Sequence, residues 1–566
     1  MDIDTTVKVS GEAGQGIQTV GQLLGLVCRE AGLYVMAISD FESRIRGGSS
    51  FFQIRISNQP VRAPHHRVDL LVALTSETLE LYRNELSPDG LALIGNDSAP
   101  IDSNTQQVLF TALASQAGGR IYANTVAAGA CLALLGAPLD LCQTIFSGHF
   151  RPRGKAITDN NLNAVLLGYE AVKDIPYSGR FTWPHDGPRG ALVDGARAIA
   201  LGALAGDCRL AAFYPMSPAT AIMQHLDGFS DAFPLVVEQA EDEIAAANIA
   251  IGASFAGVRS MTATSGGGFC LMTEALGLAG ITETPLVIVN AQRPGPATGL
   301  PTRTAQADLL FVIHAGQDEF PRFVFAPGSP AEAFEVTVRA FHLAEKYQVP
   351  VIILVDQYLA DATFIVEESL TAPDHIERFI VGDKDMKDPA GYERFAVTPS
   401  GVSPRALPCR GKALVVVTGN EHSRDGHISE SISDRISMVD KRHAKLDGMR
   451  EDICPPRAYH GTAEILLIGW GSTEGAIAES VDRMRADGID AGCLMFTDLW
   501  PFPADAAAEA IGEGRTTLVV EQNRSGQLGK LIREQTGIAC SGAILKYDGR
   551  PMYPHEIVDG VLPFVR

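Results

Sequence analysis

The sequence has no Cys-x-x-Cys pair. Its nine cysteines (28, 131, 142, 208, 270, 409, 454, 493 and 540) are scattered and odd in number, which argues against a disulfide framework and supplies no zinc or iron-sulfur ligand signature. Positive charge is also short, with 46 Lys and Arg against 67 Asp and Glu and a formal net charge of −21. So acidic a chain is a poor match for nucleic acid or an anionic membrane, although a local basic pocket for a phosphate is compatible with that sum. No apolar run approaches the ~20 residues needed to span a bilayer, and the start, Met-Asp-Ile-Asp-Thr-Thr, lacks the basic and apolar regions of an export signal. These absences predict a soluble protein of a reducing, cytoplasmic compartment, with no metal held by this chain.

What is present is a long series of α/β units. At 566 residues the chain exceeds a single core, and about three or four domains are expected. The first segment opens on a short strand, Val7-Lys-Val-Ser, then Gly11-Glu-Ala-Gly-Gln-Gly16 and an apolar helix over Val20 to Cys28. Strand, glycine loop and helix can cradle a phosphate on backbone N–H groups, or the glycines can simply make a tight turn. Ser43-Arg-Ile-Arg-Gly-Gly-Ser-Ser50 offers arginines for a phosphate or carboxylate, or a solvated turn. Ser178 to Gly190, rich in Pro and Gly, reads as a linker.

From Phe213 to Asp308 four strand-like runs each end in a polar or glycine-rich loop: Tyr214-Pro-Met-Ser-Pro-Ala-Thr220, Val236-Val-Glu-Gln-Ala-Glu-Asp-Glu243, Thr262-Ala-Thr-Ser-Gly-Gly-Gly268, and Asn290 to Arg303. In open parallel sheets ligands bind outside the carboxyl ends of the strands, so these loops are expected to meet at one edge. The acids of Glu241-Asp-Glu243 favour a helix N-terminus, and Glu243 lies nearest the Ala-rich face that follows. Phe269 and Met272 fall at helical spacing and belong to a core. Arg293 and Arg303 flank a proline-stiffened loop suited to holding a carboxylate. Pro350 to Val355 is apolar throughout, as in a strand covered on both faces. Residues 372 to 459 lose periodicity, carry the basic stretch Asp440 to Lys445, and are expected to pack against something, another subunit being one candidate. His422, His427 and His443 fit no ligand set and read as solvated or helix-terminal.

These motifs together resemble the 2-oxoacid:ferredoxin oxidoreductases, thiamine-diphosphate enzymes that oxidatively decarboxylate a 2-oxoacid to its acyl-CoA. Gly11 to Gly16 with Arg46-Gly-Gly48 is similar to the family's gamma domain, and Tyr214-Pro-Met-Ser-Pro218 to its Tyr-Pro-Ile-Thr-Pro motif, with Ser217 keeping the hydroxyl. The order, gamma ahead of alpha, looks most like the alpha subunit of the enzymes acting on 2-oxoglutarate. The resemblance implies a gamma domain over 1–178, a pyrimidine-binding domain of the thiamine-diphosphate fold over 190–371, a polar connecting region over 372–460 and a transketolase-C-like domain over 461–566. It also implies Glu243 as the carboxylate bonded to the aminopyrimidine ring and Ser217 as a hydrogen-bonder near the reacting carbon. Arg303, then Arg293, with Thr220, would hold substrate. Tyr214, Pro215, Met216, Ser265 and Gly266 would line the cofactor, and Gly14, Gln15, Gly16 and Arg46 would face coenzyme A.

The family's Gly-Asp-Gly diphosphate motif and cluster cysteines are absent. The resemblance therefore implies a beta subunit bringing the diphosphate half of the site, magnesium and the iron-sulfur cluster, an (alpha-beta)2 assembly, and ferredoxin as acceptor. Two further readings stand beside this one: the same chemistry on pyruvate, a branched-chain or an aryl 2-oxoacid, and a non-catalytic nucleotide-binding or assembly protein built on Gly11 to Gly16.

Overall fold

The computed structural model describes residues 3–12, 17–41, 48–95, 103–184 and 186–565. The chain divides into two compact units. One comprises residues 1–194 with 362–369, the other 195–361 with 370–566.

The first unit is built on an eight-stranded sheet in the order Thr105–Gln107, Leu86–Ile94, Val68–Ala73, Asp4–Glu12, Ser49–Ser57, Tyr34–Phe41, Thr363–Val366 and Ala191–Asp194. Four strands from Thr105–Gln107 to Asp4–Glu12 run parallel, and the other half of the sheet is antiparallel. The expected boundary at 190 and the end at 371 thus differ from the observed pairing, because strands 191–194 and 363–366 hydrogen-bond into this sheet. One sheet face packs on Ile17–Glu30 and Ala123–Leu135, and Lys155–Val172 packs on the outer side of Ala123–Leu135; Leu23, Val27, Leu132 and Val165 in this core are all fully buried. Ala123–Leu135 is apolar all round, as a helix sealed between sheet and helices must be.

The second unit holds two sheets. A seven-stranded sheet runs in the order Asp498–Trp500, Phe323–Phe325, Pro350–Asp356, Leu286–Gln292, Ser260–Thr264, Leu210–Phe213, Val236–Gln239. It is parallel except for Asp498–Trp500. A five-stranded sheet follows, in the order Arg457–Tyr459, Ala491–Phe496, Ile465–Trp470, Thr516–Glu521, Gly542–Leu545. Strand 498–500 comes from the segment assigned by sequence to the last domain yet extends the central sheet. A single core continues from Phe269, Met272 and Ile288 to Trp470, Phe496 and Leu531.

The polar stretch after 372 packs on this unit itself. Arg394, Phe395, Ser403 and Arg405 are buried, and Arg378, Arg405 and Arg259 surround the buried Glu345 carboxylate. His422, expected to be solvated, is fully buried and stacks on Phe395 with ring centroids 3.8 Å apart. His427 and His443 are exposed or half-exposed.

Candidate functional site

Strands 210–213, 236–239, 260–264 and 286–292 are parallel neighbours, so their carboxyl ends share one edge. Glu243 opens the helix Glu243–Phe255 there. Of the three acids in this stretch, Asp242 is the N-cap, its carboxylate accepting from Ala245 N–H at 2.7 Å, and Glu241 is exposed. Glu243 is 3 % exposed, and among the described residues its Oε1 has no hydrogen-bond partner.

The glycines after Thr264 read as a loop in the sequence, but Gly266–Ile281 is helical from Gly266 onward. Close approach explains them. A β-carbon on Gly268 would lie 2.1 Å from Thr264 Oγ1 and 2.7 Å from Glu243 Oε1, and one on Gly266 would lie 2.5 Å from Asp308 Oδ2. Thr264 Oγ1 reaches Met216 Sδ at 3.8 Å. Arg293 Nη1 donates to the Ser217 carbonyl at 2.7 Å, tying the loop after strand 286–292 to the loop after strand 210–213. Glu243, Thr264, Gly268 and Met216 therefore form one contact group, beside the Ser217–Arg293 pair. Ser265 is fully buried, and its Oγ has no partner among the described residues. Tyr214 and Ser217 are exposed, Pro215 half-buried, and Thr220 starts the helix Thr220–Ser230. Gly14, Gln15, Gly16 and Arg46 lie outside the described residues.

Arg303 is positioned differently. Its stem lies against Gly549, whose carbonyl accepts from Thr304 N–H at 3.4 Å. Burial and the neighbouring Arg550 push its guanidinium down to about 10. Burial also lowers Arg293.

Three polar residues that the motifs do not single out sit at the same edge. Asp308 accepts from Asn290 Nδ2 at 3.1 Å, and its own N–H donates to Gln292 Oε1. Burial raises its carboxyl above the usual range, partly offset by Asn290. Asn290 Oδ1, fully buried, has no partner among the described residues. Asp356, at the end of strand 350–356, accepts from Leu359 N–H at 2.9 Å and from the Ser472 hydroxyl, and burial pushes it up to about 6. For Asn290 and Asp356 a sequence signal existed, a polar residue ending an apolar strand, in Leu-Val-Ile-Val-Asn290 and Val-Ile-Ile-Leu-Val-Asp356. Among the described residues no three His, Cys, Asp or Glu converge as a metal-ligand set, and no helix is long and apolar enough to cross a membrane.

Residues 201–441 match the family described as "Pyruvate flavodoxin/ferredoxin oxidoreductase, thiamine diP-bdg". Residues 6–171 match "Pyruvate ferredoxin/flavodoxin oxidoreductase", and 463–557 match "Pyruvate:ferredoxin oxidoreductase core domain II". A 2-oxoacid:ferredoxin oxidoreductase subunit alpha from a Sulfolobus species is 32 % identical, the alignment covering 99 % of this chain and 96 % of that one. The chain belongs to the 2-oxoacid:ferredoxin oxidoreductase family, among its alpha subunits. A second member, the 2-oxoglutarate synthase subunit KorA of Methanothermobacter marburgensis, is 35 % identical over 66 % of this chain and 98 % of its own. A solved oxidoreductase, the 2-oxoglutarate:ferredoxin enzyme from Magnetococcus marinus with 2-oxoglutarate, coenzyme A and succinyl-CoA bound, superposes with a TM-score of 0.92. It shares 29 % identity, and both chains are covered fully. In this family member the thiamine-diphosphate-binding segment, 201–441, carries Glu243 and the glycines packed on it.

Proposed function

We propose that this chain is the alpha subunit of a 2-oxoglutarate:ferredoxin oxidoreductase, joining 2-oxoglutarate and coenzyme A into succinyl-CoA with loss of CO2 and transfer of two electrons to ferredoxin. The observation that carries the reading is the Glu243 carboxylate: deeply buried, with one oxygen unpartnered among the described residues. Such a group is costly to keep unless a bound molecule completes its hydrogen bonds. Gly268 lets Thr264 and Glu243 pack directly on the helix start, which holds the carboxylate and its unpartnered oxygen at the sheet edge, so the residues fit the aminopyrimidine ring of thiamine diphosphate. When bound, that cofactor supplies the electron sink a 2-oxoacid needs to release CO2. Glu243 Oε1 holds a proton at its ring nitrogen, while Met216, Ser265 and Gly266, with Tyr214 and Pro215, form the wall around it. Ser217 presents a hydroxyl beside the reacting carbon, its loop fixed by Arg293, and Arg303, with Arg293 and Thr220, receives the substrate anion. The choice of 2-oxoglutarate is supported by the likeness to two enzymes named for it.

On this reading a beta subunit brings the diphosphate half, magnesium and the iron-sulfur cluster, in an (alpha-beta)2 assembly working in the cytoplasm. Gly14, Gln15, Gly16 and Arg46 are its coenzyme A contacts, by motif alone. The parts 1–178, 190–371, 372–460 and 461–566 are proposed as functional divisions of the chain, with strands 191–194, 363–366 and 498–500 pairing across their limits. The test is dye reduction by the chain alone and by the chain co-expressed with its beta subunit, given coenzyme A and 2-oxoglutarate, pyruvate or 2-oxoisovalerate. Viologen reduction by the pair only, with 2-oxoglutarate preferred, is expected; activity of the chain alone, or preference for pyruvate, overturns the respective part.

A further inference from the structure

Between the central strand Leu286–Gln292 and the helix Leu309–His314, residues 293–308 run without helix or strand, a length at which loops are usually functional and need something to fix them. Both ends of this loop touch the Glu243 contact group. Arg293 at its start donates to the Ser217 carbonyl at 2.7 Å, next to the Met216 that meets Thr264. Asp308 at its end accepts from Asn290 Nδ2 at 3.1 Å and lies against Gly266, and Asn290 is the register partner of Thr264.

Between those ends the loop is held by the other sheet. Strands Ile465–Trp470 and Thr516–Glu521 are parallel neighbours in the five-stranded sheet. Outside their carboxyl ends, where an open parallel sheet takes a ligand, sits Gln306, fully buried. All four of its polar groups are engaged there. Its N–H donates to the Gln522 carbonyl at 2.9 Å, and its carbonyl accepts from Asn523 Nδ2 at 2.9 Å. Its Nε2 donates to the Trp470 carbonyl at 2.7 Å, and its Oε1 accepts from the Gln522 N–H at 3.1 Å. Gln527 adds an outer pair, its Nε2 donating to the Ala307 carbonyl at 2.7 Å and its Oε1 accepting from the Leu310 N–H at 3.0 Å.

Resting on the proposed function, we infer that Gln306 is a positioning residue for the 2-oxoacid: the five-stranded sheet grips it as an internal ligand and so fixes the loop that presents Arg293 to the substrate. Only a primary amide answers a buried carbonyl and a buried N–H at once, since a carboxylate lacks the donor and an apolar side chain lacks both. A guanidinium on a fixed loop meets its anion already oriented, whereas one on a loose loop must be ordered at each binding event. The C-terminal sheet thus acts on the reaction without touching the reacting atoms.

The test uses the alpha chain assembled with its beta subunit. Gln306→Ala removes both side-chain bonds, and Gln306→Glu keeps the acceptor but supplies the donor to the Trp470 carbonyl only while its carboxyl is protonated. Gln527→Ala removes the outer pair from a half-buried position and is the milder change. In Gln306→Ala the KM for 2-oxoglutarate is expected to rise about 10-fold, the size of one or two lost hydrogen bonds. Turnover and the dissociation constant of thiamine diphosphate should change little. The ratio of Gln306→Glu to wild-type KM should be near one in acid and climb as the new carboxyl ionises, and Gln527→Ala should raise KM by less. Hydrogen exchange over 293–308, which needs no substrate, should quicken in all three variants. Unchanged exchange, or quickened exchange with unchanged KM, overturns the inference. So does a rise in KM matched by an equal rise in the cofactor's dissociation constant and a lower melting temperature, which would make Gln306 a structural residue. If Gln306→Ala does not assemble, the KM and exchange of Gln527→Ala decide in the same way. A wild-type complex inert with 2-oxoglutarate overturns the underlying reading instead, and exchange alone then judges the grip on the loop.

Discussion

Glu243 and Gly268 are best understood as one device. A buried carboxylate with an unpartnered oxygen weakens the fold, so its retention here is argued as functional, and replacement by a neutral isostere separates the two effects. Glu243→Gln is expected to lower turnover of the assembled enzyme by about 100-fold or more without lowering the melting temperature of the chain, because the amide is cheaper to bury than the carboxylate. A fall in both together would make Glu243 a structural residue. Gly268→Ala acts by crowding: its methyl would meet Thr264 Oγ1 and Glu243 Oε1 at 2.1 and 2.7 Å, both on buried residues. Overpacking of this kind costs about 1–3 kcal/mol, and the expected outcome is a folded chain with weakened thiamine diphosphate binding, read by cofactor titration of the complex. Much of this was legible in the sequence, since an acid beginning an Ala-rich helix and a triple glycine after a strand both advertise an unusual local demand.

Among the elements, the helix Ile432–Glu451 shows why apolar periodicity failed after residue 372. Its buried face includes Lys441, Arg442 and Lys445 beside Met438 and Met449, so the stretch reads as solvated although three of its cations face inward. Lys441 and Lys445, one turn apart, both grip Glu283, at 2.7 and 2.6 Å, while Arg394 donates to the carbonyls of Glu283 and Thr282 at 2.7 and 3.3 Å. Burial raises the Glu283 carboxyl, but Lys445, Lys441 and Arg394 outweigh it and hold it below the usual range. Burial in turn pushes Lys445 down to about 7 against the pull of Glu283. The Glu283 carboxylate thus anchors the helix, and the backbone carbonyls of Thr282 and Glu283 anchor the irregular segment before it. Glu283→Gln leaves those lysines buried without a counter-charge, at a cost of about 3–5 kcal/mol. Chemical denaturation should show that loss, and limited proteolysis should find cleavage sites opened between 372 and 451. A variant as stable and as resistant as wild type would show that the lysines are satisfied in some other way.

For the molecule as a whole, the sequence conveyed the succession of α/β parts but not which strand joins which sheet, since 363–366 and 498–500 each cross an expected boundary and pairing is not written locally. The apolar helices Glu243–Phe255 and Gly266–Ile281 leave Ile244 and Leu271 about half exposed. On the proposed function the beta subunit covers them, so Leu271→Asp should abolish co-purification of the pair while leaving the isolated chain folded by circular dichroism. The junction of the second unit's two sheets carries a pH dependence of its own. Asp356, 2 % exposed, ends the central strand and accepts from Ser472 and, at 3.4 Å, from Gln522 Nε2 of the C-terminal sheet. Gln522 is also bonded to Gln306, its carbonyl accepting from the Gln306 N–H at 2.9 Å and its own N–H donating to Gln306 Oε1 at 3.1 Å. With its carboxyl raised by burial to about 6, the folded chain binds this proton more tightly than the unfolded chain does. The stabilisation is therefore complete below the ordinary aspartate range and is lost as pH climbs through about 6, a total of about 3 kcal/mol. Asp356→Asn carries no such proton, so the stability of wild type relative to the variant should decline between about pH 4 and pH 7 in urea titrations and then level off. Parallel curves for the two proteins across that interval would mean that Asp356 is charged in the fold from low pH upward, with Ser472, Gln522 and Leu359 N–H together outweighing its burial.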